Sequence, residues 1–322
     1  MDIVYLDPLS LFPTDLPSNR IFGAICVGMR ELYGDGELSS MLEQFREGAA
    51  PFVLSSAFPF VYDETVKEKY HFFPKPIVKP AVLGDYEGYY DAFKDYKKVK
   101  YLDQALFNRL INGETDESSL IKDLKNGDIK TIRKKFMTDS DLSDDFAIRK
   151  QDRPHNILNR LSGSSENFYY TTGRNFKNSG LFFLIKFYDN AYRSKVMASL
   201  RFIEDRGFGS DISSGMGQFK LSIVTDSELI NEPERDAGSF VTLSLYSPED
   251  FDSFDKKRCW YELMKIRGRC GDGFMKKSIW VFKEGSTFLI HDQKICGKVV
   301  YVRKNPDVVE YGVAFPVRMV EP

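Results

Sequence analysis

The sequence predicts an α+β protein in two parts, on three observations. A strand-like opening, Met1 to Leu9, is followed by an amphipathic helix from Ile21. A second helical stretch, Asn190 to Asp205, runs through a glycine-rich loop into a strand. From Phe240 onward the chain reads as short strands separated by Gly and Asp turns. With 322 residues the chain buries a sizeable core and exceeds what one small domain needs, so two domains are expected, 1–230 and 231–322. Hydrophobic residues make up 42% and charged residues 29%, the balance of a soluble globular protein. A net charge of −2 excludes a protein that grips free nucleic acid by overall charge, though a local basic groove remains compatible with it.

Taken in order, MDIVYLDPL is a strand closed by Pro8, and FPTDLPSNR is a loop punctuated by prolines. Ile21, Phe22, Ile25, Cys26, Met29, Leu32 and Tyr33 share one helical stripe, with Ser18 placed to cap it and Gly34 to end it. PFVLSSAFPFVY, Pro51 to Tyr62, reads as a strand. Pro74, Pro76 and Pro80 limit ladder bonding in YHFFPKPIVKP, which makes it an edge or a groove-lining loop, with Lys75 and Lys79 facing RNA or water. Lys94 to Asn112 contains a helical stretch ended by Gly113. The region to Arg153, basic and then acidic at Asp139, Asp141, Asp144 and Asp145, is expected to be an insertion or mobile loop with solvated charges. FYYTT and GLFFLIKF are strands leading to the second helix, which Asp189 or Asn190 would cap. DSELINEPERDAGS is a polar connection to the strand-rich C-terminal part.

The chemistry concentrates in RGFGSDISSGMGQFKL, Arg206 to Leu221. Four glycines there, Gly207, Gly209, Gly215 and Gly217, would melt a helix and add nothing to a strand, but they let backbones approach closely. Successive N–H groups in such loops can cradle phosphate. The order helix, loop, strand is the reverse of a P-loop or dinucleotide fingerprint, and the Gly-Lys-Ser/Thr ending is missing. A purely structural loop stays open as the alternative. At Ser18, Asn19 and Arg20 a helix N-terminus with a guanidinium beside it suits a phosphate, or is an ordinary cap. In PHNILNRLSG, His155, Asn156, Asn159 and Arg160 are set around Ile157, Leu158 and Leu161.

These segments resemble the RAMP superfamily of CRISPR RNA-binding proteins, and within it the subunit-four family of the type III-A (Csm) effector. GFGSDISSGMGQF resembles that family's glycine loop, LPSNRIFGAICVGMRELYG its first helix, and PHNILNRLSG the segment beside a thumb hairpin that wedges into guide RNA. SSAFPFV with FFPKP, DYKKVKYL, LSLYSP, GRCGDGFMKKS, FKEGSTF and YGVAFPV extend the resemblance over nearly the whole chain. It departs at Asn19 and Arg20, where the family has Asp and Thr, and at Asp211, Ile212 and Met216, where Lys or Arg is frequent. The resemblance implies two tandem ferredoxin-like (RRM-like) domains, the second smaller and degenerate. It implies a non-catalytic subunit that holds the repeat-derived 5′ tag of the guide crRNA and docks a large polymerase/cyclase-like subunit and a backbone RAMP subunit. The implied RNA-binding set is Ser18, Asn19, Arg20, His155, Asn156, Asn159, Arg160, Arg206, Gly207, Phe208, Gly209, Ser213, Ser214, Gly215, Met216, Gly217, Gln218 and Lys220.

Two other classes stay open: a RAMP endoribonuclease acting on precursor RNA with His155 as base, and a scaffold with little RNA contact. No metal or cofactor is expected. Cys259, Cys270, His291 and Cys296 lack close zinc-ligand pairs, and the acidic patch has nothing apolar to pin it. With Cys26, the cysteines show no disulfide framework, and there is neither a signal peptide nor a bilayer-spanning run, so a reducing, cytoplasmic location is expected.

Overall fold

The computed structural model describes residues 1–12, 15–80, 86–209, 212–234, 237–250, 257–270, 273–290, 295–303 and 307–321. Strand β1 (Asp2–Pro8) leads to α1 (Ser18–Arg46) and then to β2 (Phe52–Leu54), β3 (Phe58–Asp63) and β4 (Glu68–Pro74). A mixed segment follows, with α2 (Tyr86–Tyr96), β5 (Tyr101–Asp103), α3 (Gln104–Ile111), α4 (Glu117–Asn126), β6 (Lys130–Ile132) and β7 (Phe136–Thr138). The long pair β8 (Ala147–Leu158) and β9 (Ser165–Lys177) precedes β10 (Ser179–Phe187), α5 (Arg193–Arg206) and β11 (Phe219–Val224). The C-terminal part comprises β12 (Ser239–Thr242), β13 (Leu263–Ile266), β14 (Ile279–Phe282), β15 (Thr287–Leu289), β16 (Val300–Arg303), β17 (Val308–Glu310) and β18 (Pro316–Met319).

A large sheet runs in the order β11-β1-β10-β3-β4-β5-β7-β6, with β2 also pairing β10. Strand β1 lies between β10 and β11 and is antiparallel to both: Val4 opposes Phe183 and Ile223, and Tyr5 opposes Phe182 and Ser222. The two-residue period of a strand therefore sorts side chains onto two faces. On one, Phe187 meets Phe52, which meets Phe22 of α1. On the other, Phe182 meets Phe73, whose ring stacks on Phe107 of α3 at 4.7 Å. Helices thus cover both faces.

Several expectations need correcting. Ser18 is the first residue of α1, not its cap: Pro17 is the N-cap, without a side-chain hydrogen bond. Gly34 does not end the helix; it kinks it, at φ 86 and ψ 173, and helix continues to Arg46. Strand β4 is no edge, because it pairs with both β3 and β5, its proline lying at the end of the strand. Lys75 turns inward, its ammonium donating to the Tyr96 carbonyl at 3.0 Å, and burial pulls its pKa down to about 8. The helix expected within 94–112 is α3, which starts later than the stretch from Tyr101 suggests: Tyr101–Asp103 form β5, and Asp103 caps α3 by accepting from the Leu106 N–H. The region to Arg153 is no irregular loop but holds α4, β6, β7 and the start of β8. Its acids are ion-paired, Asp141 with Lys130, Asp144 with Arg133 and Asp145 with Lys177. His291, Gly271 and Asp272 lie outside the described residues.

The C-terminal part shares the main core. Tyr311, fully buried, lies 4.9 Å from Phe22, and its hydroxyl accepts from the Leu54 N–H. Helices α1 and α5 cross closely at Gly28, where an added Cβ would sit 2.7 Å from Cβ and 2.9 Å from Cα of Ser199. Backbone cannot move aside as a flexible side chain would. Gly28→Val is accordingly expected to cost ~3 kcal/mol in chemical unfolding, as overpacking does. Gly23→Ala on the same helix, with nothing within 4 Å, should be neutral or stabilising. Equal unfolding midpoints for the two variants would mean that the helix crossing is loose.

Candidate nucleic-acid interface

The glycine loop begins where α5 ends, with Gly207 as C-cap donating its N–H to the Ile203 carbonyl at 2.7 Å. Phe208 then donates to the Gly217 carbonyl at 2.8 Å, closing the loop on itself. Gly217 donates to the Leu11 carbonyl at 2.9 Å, and the Gln218 N–H donates to the Ser10 hydroxyl at 3.0 Å. The loop is thereby tied to the chain between β1 and α1. That connection is clasped in turn to β9: Phe12 and Arg174 exchange backbone hydrogen bonds of 3.0 and 2.8 Å. Gly173 allows the approach, since a Cβ there would lie 2.5 Å from Leu11 Cγ. Phe12 is fully buried beneath, against Phe208 and edge-on to Phe219. Glycine loop, β1–α1 connection and hairpin base therefore form one unit. A cleft of about 400 Å³ opens between residues 8–11 and 151–154.

This geometry changes what the glycines can do. The N–H groups of Gly207, Gly215 and Gly217 are all donated within the protein, that of Gly215 to the Ile212 carbonyl at 2.9 Å. A cradle made of these three amides is not available. Gly217 has φ 73, and a Cβ on it would collide with the Phe208 carbonyl, so it shapes the loop. Gly215, at φ 78, faces open space. Met216 is buried, whereas Arg206, Gly209, Ser213 and Lys220 are exposed and Ser214, Phe208 and Gln218 half-buried. Ser210 and Asp211 lie outside the described residues.

At the start of α1, Ser18 is fully buried and its hydroxyl accepts from the Leu245 N–H at 3.0 Å, which removes it from any surface. Asn19 donates to Glu310 at 2.8 Å, and Lys276 closes on the other oxygen of that carboxylate at 2.7 Å. Arg20 is exposed and donates to the Asp15 carbonyl, while Arg174 pairs with the Asp15 carboxylate at 2.8 Å. Arg20 thus borders the unit described above.

His155, Asn156, Asn159 and Arg160 lie within a hairpin, on its first strand and at its tip, and not beside one. Strands β8 and β9 pair from Ala147↔Lys177 to Leu158↔Ser165, with one register shift after His155. Asn159 builds the tip, its side-chain oxygen accepting from the Leu161 and Ser162 N–H groups and its amide donating to Glu166. Asn156 accepts from the Ser165 hydroxyl at 2.6 Å. Arg160 stands exposed at the tip beside a fully exposed Leu161. Sequence reasoning also missed the aromatic residues. Phe168 and Tyr170 are exposed and meet edge-to-face at 5.1 Å, and Tyr169 stacks on His155 at 5.0 Å. Three successive aromatics in a polar segment were the available signal. His155 Nε2 is buried without a partner.

No family model matches the chain. A curated relative, the CRISPR system Cms protein Csm4 of Thermococcus onnurineus (strain NA1), is 25% identical over 214 residues, 64% of this chain. A chain of the Csm3–Csm4 subcomplex of the type III-A CRISPR-Cas interference complex superimposes with a TM-score of 0.68 at 21% identity, covering 99% of both chains. The chain is similar to Csm4. The match spans 63% of the length of the curated Csm4. A chain of a Csm1–Csm4 cassette in complex with AMPPNP also superimposes, with a TM-score of 0.62 at 21% identity over 100% of this chain and 98% of that one. Likeness to these Csm4-containing assemblies extends over the α+β fold with its large sheet. Among the described residues, no helix is long and apolar enough to cross a membrane.

Proposed function

We propose that this chain is a non-catalytic, guide-RNA-binding subunit of a type III-A CRISPR effector that holds the repeat-derived 5′ tag. One observation carries the reading: in a chain similar to Csm4, the glycine loop, the β1–α1 connection and the base of the β8–β9 hairpin are hydrogen-bonded into one surface. The loop serves by shape. Gly215 leaves room for a backbone to approach, and Arg206, Ser213, Lys220 and Arg20 supply donors around it. The hairpin offers Phe168 and Tyr170 as stacking planes, with Arg160 for phosphate. Cleavage through His155 Nε2 is disfavoured because a general base must reach the proton it removes, and that atom is buried.

The partners would be a Csm3-like backbone RAMP subunit and a Csm1-like large subunit, since Csm3 and Csm1 accompany Csm4 in the similar structures. The antiparallel order β11-β1-β10-β2, with α1 and α5 as its helices, supports a ferredoxin-like first domain over 1–230. Residues 231–322 would be its reduced second copy, packed on the same core. A cytoplasmic location follows from this role.

The test is a salt titration of guide binding by assembled complexes carrying Arg20→Ala or Arg160→Ala, with native and scrambled tags. Each variant should weaken binding about equally for every tag and lower the slope of log affinity against log salt by ~0.7. An unchanged slope, or a loss confined to the native tag, would refute phosphate contact by that arginine.

A further inference from the structure

The β13–β14 hairpin carries a second basic and aromatic surface, on the C-terminal part of the chain. Within 263–280 the sequence carries five basic residues, Lys265, Arg267, Arg269, Lys276 and Lys277, against one acid, Asp272, in a protein of net charge −2. Lys276 is committed to Glu310. Lys265, Arg267 and Lys277 are exposed and take part in no ion pair among the described residues. Directly opposite Lys265 in the ladder is Trp280, and opposite Leu263 is Phe282. Opposed residues share a face, so Leu263, Lys265 and Trp280 stand together, with Arg267 just past the end of β13. Trp280 is 55% and Phe274 65% exposed, and the Arg303 guanidinium lies over the Phe274 ring.

This face has a firm base. Phe282 is buried against Tyr246 and Phe288, so the strand that carries Trp280 is anchored in the C-terminal core. A protein-binding patch would have an apolar centre depleted of charge. Here Lys265 opposes Trp280 in the ladder and Arg267 follows two residues later, just past the end of β13. A planar ring flanked by unpaired cations is the arrangement that takes a base on the ring and phosphates on the cations.

We propose that the exposed face of β13–β14 binds single-stranded RNA, with Trp280 as the stacking plane and Lys265 and Arg267 as phosphate contacts. This surface is separate in sequence from the glycine loop and the β8–β9 hairpin, and its test does not depend on their role. The probe is a fluorescein-labelled 20-nucleotide oligouridine added to the full chain, read by anisotropy and by tryptophan emission. Oligouridine should quench the emission of the unaltered protein, and Trp280→Phe should abolish the quench while Trp260 still reports folding. Trp280→Ala should weaken binding roughly tenfold. Lys265→Ala with Arg267→Ala should lower the salt slope by ~0.7 for each cation removed. Phe168→Ala with Tyr170→Ala should leave the quench intact, which separates this surface from the hairpin. Thermal melts of each variant control for folding, and Trp280 is exposed enough for its loss to spare the core. If saturating oligouridine leaves Trp280 emission unchanged, or if the double-cation variant keeps the full salt slope, the surface is not an RNA platform.

Discussion

Gly217→Ala is expected to abolish guide retention and to destabilise the protein by ~3 kcal/mol, whereas Gly215→Ala should cost ~1 kcal/mol and leave the fold intact. Both glycines have positive φ, so an alanine at either is strained. Only Gly217 also meets backbone, the Phe208 carbonyl, and its own N–H holds the Leu11 carbonyl. Forcing that contact apart undoes the hydrogen bond that joins the loop to the β1–α1 connection. Through Phe12 and Arg174 it then loosens the base of the hairpin. Gly215 has open space before it, so an added methyl group touches only what binds there. The measurement is guide affinity beside urea unfolding for each variant. A Gly215→Ala protein of near-normal stability that loses tenfold or more in affinity places RNA at the loop. Unchanged affinity with Gly215→Ala would mean that the loop only joins elements, and guide binding would then rest on the hairpin and Arg20.

What was legible in the sequence was local. Strands β1 and β10 read directly as short apolar runs, because both faces of each are buried, and helix α5 with the strand after it shows the periodicity of elements with one buried face. Of the β8–β9 hairpin less was legible: FYYTT reads as a strand and the resemblance implies a thumb hairpin beside PHNILNRLSG, but not the length of the pair. Most of β8 is exposed on both faces, so no alternation marks it, and its stability comes from pairing with β9, thirteen residues of equally polar chain. Ser18 resembles a cap in sequence, but Leu245 from the far end of the chain claims its hydroxyl. Long-range partners of that kind leave no trace in spacing. The glycine loop was found by composition, yet the fate of its amides depends on Ser10, Leu11 and Ile203, which composition does not reveal.

Acidification should destabilise the fold between pH 6.5 and about 4 through one buried histidine. His71 on β4 is 7% exposed and shares a 2.7 Å hydrogen bond with the Tyr5 hydroxyl of β1, its ring edge-on to Phe182 of β10. Burial, helped by the Lys69 ammonium, pushes its pKa down to about 4. The unfolded chain binds the proton near 6.5 and the folded chain only near 4. Between these values the unfolded state therefore carries more protons, and stability falls as pH falls. The full effect is about 3 kcal/mol. Other groups line the same open cleft: Glu68 and Lys69 from β4, and Asp103 and Arg109 from α3 and its cap. Asp103 acts in the opposite sense. Burial raises its pKa, so the folded state takes up its proton more readily and regains some stability in acid. His71→Gln keeps a partner for the Tyr5 hydroxyl and removes the titration. Urea unfolding of both proteins at pH 7, 5.5 and 4.5 is the measurement. The parent should lose stability steadily over that range, and His71→Gln should lose markedly less. Parallel losses in the two proteins would assign the acid sensitivity to carboxylates held below their usual range instead, Asp63, Asp116 and Glu204 among them.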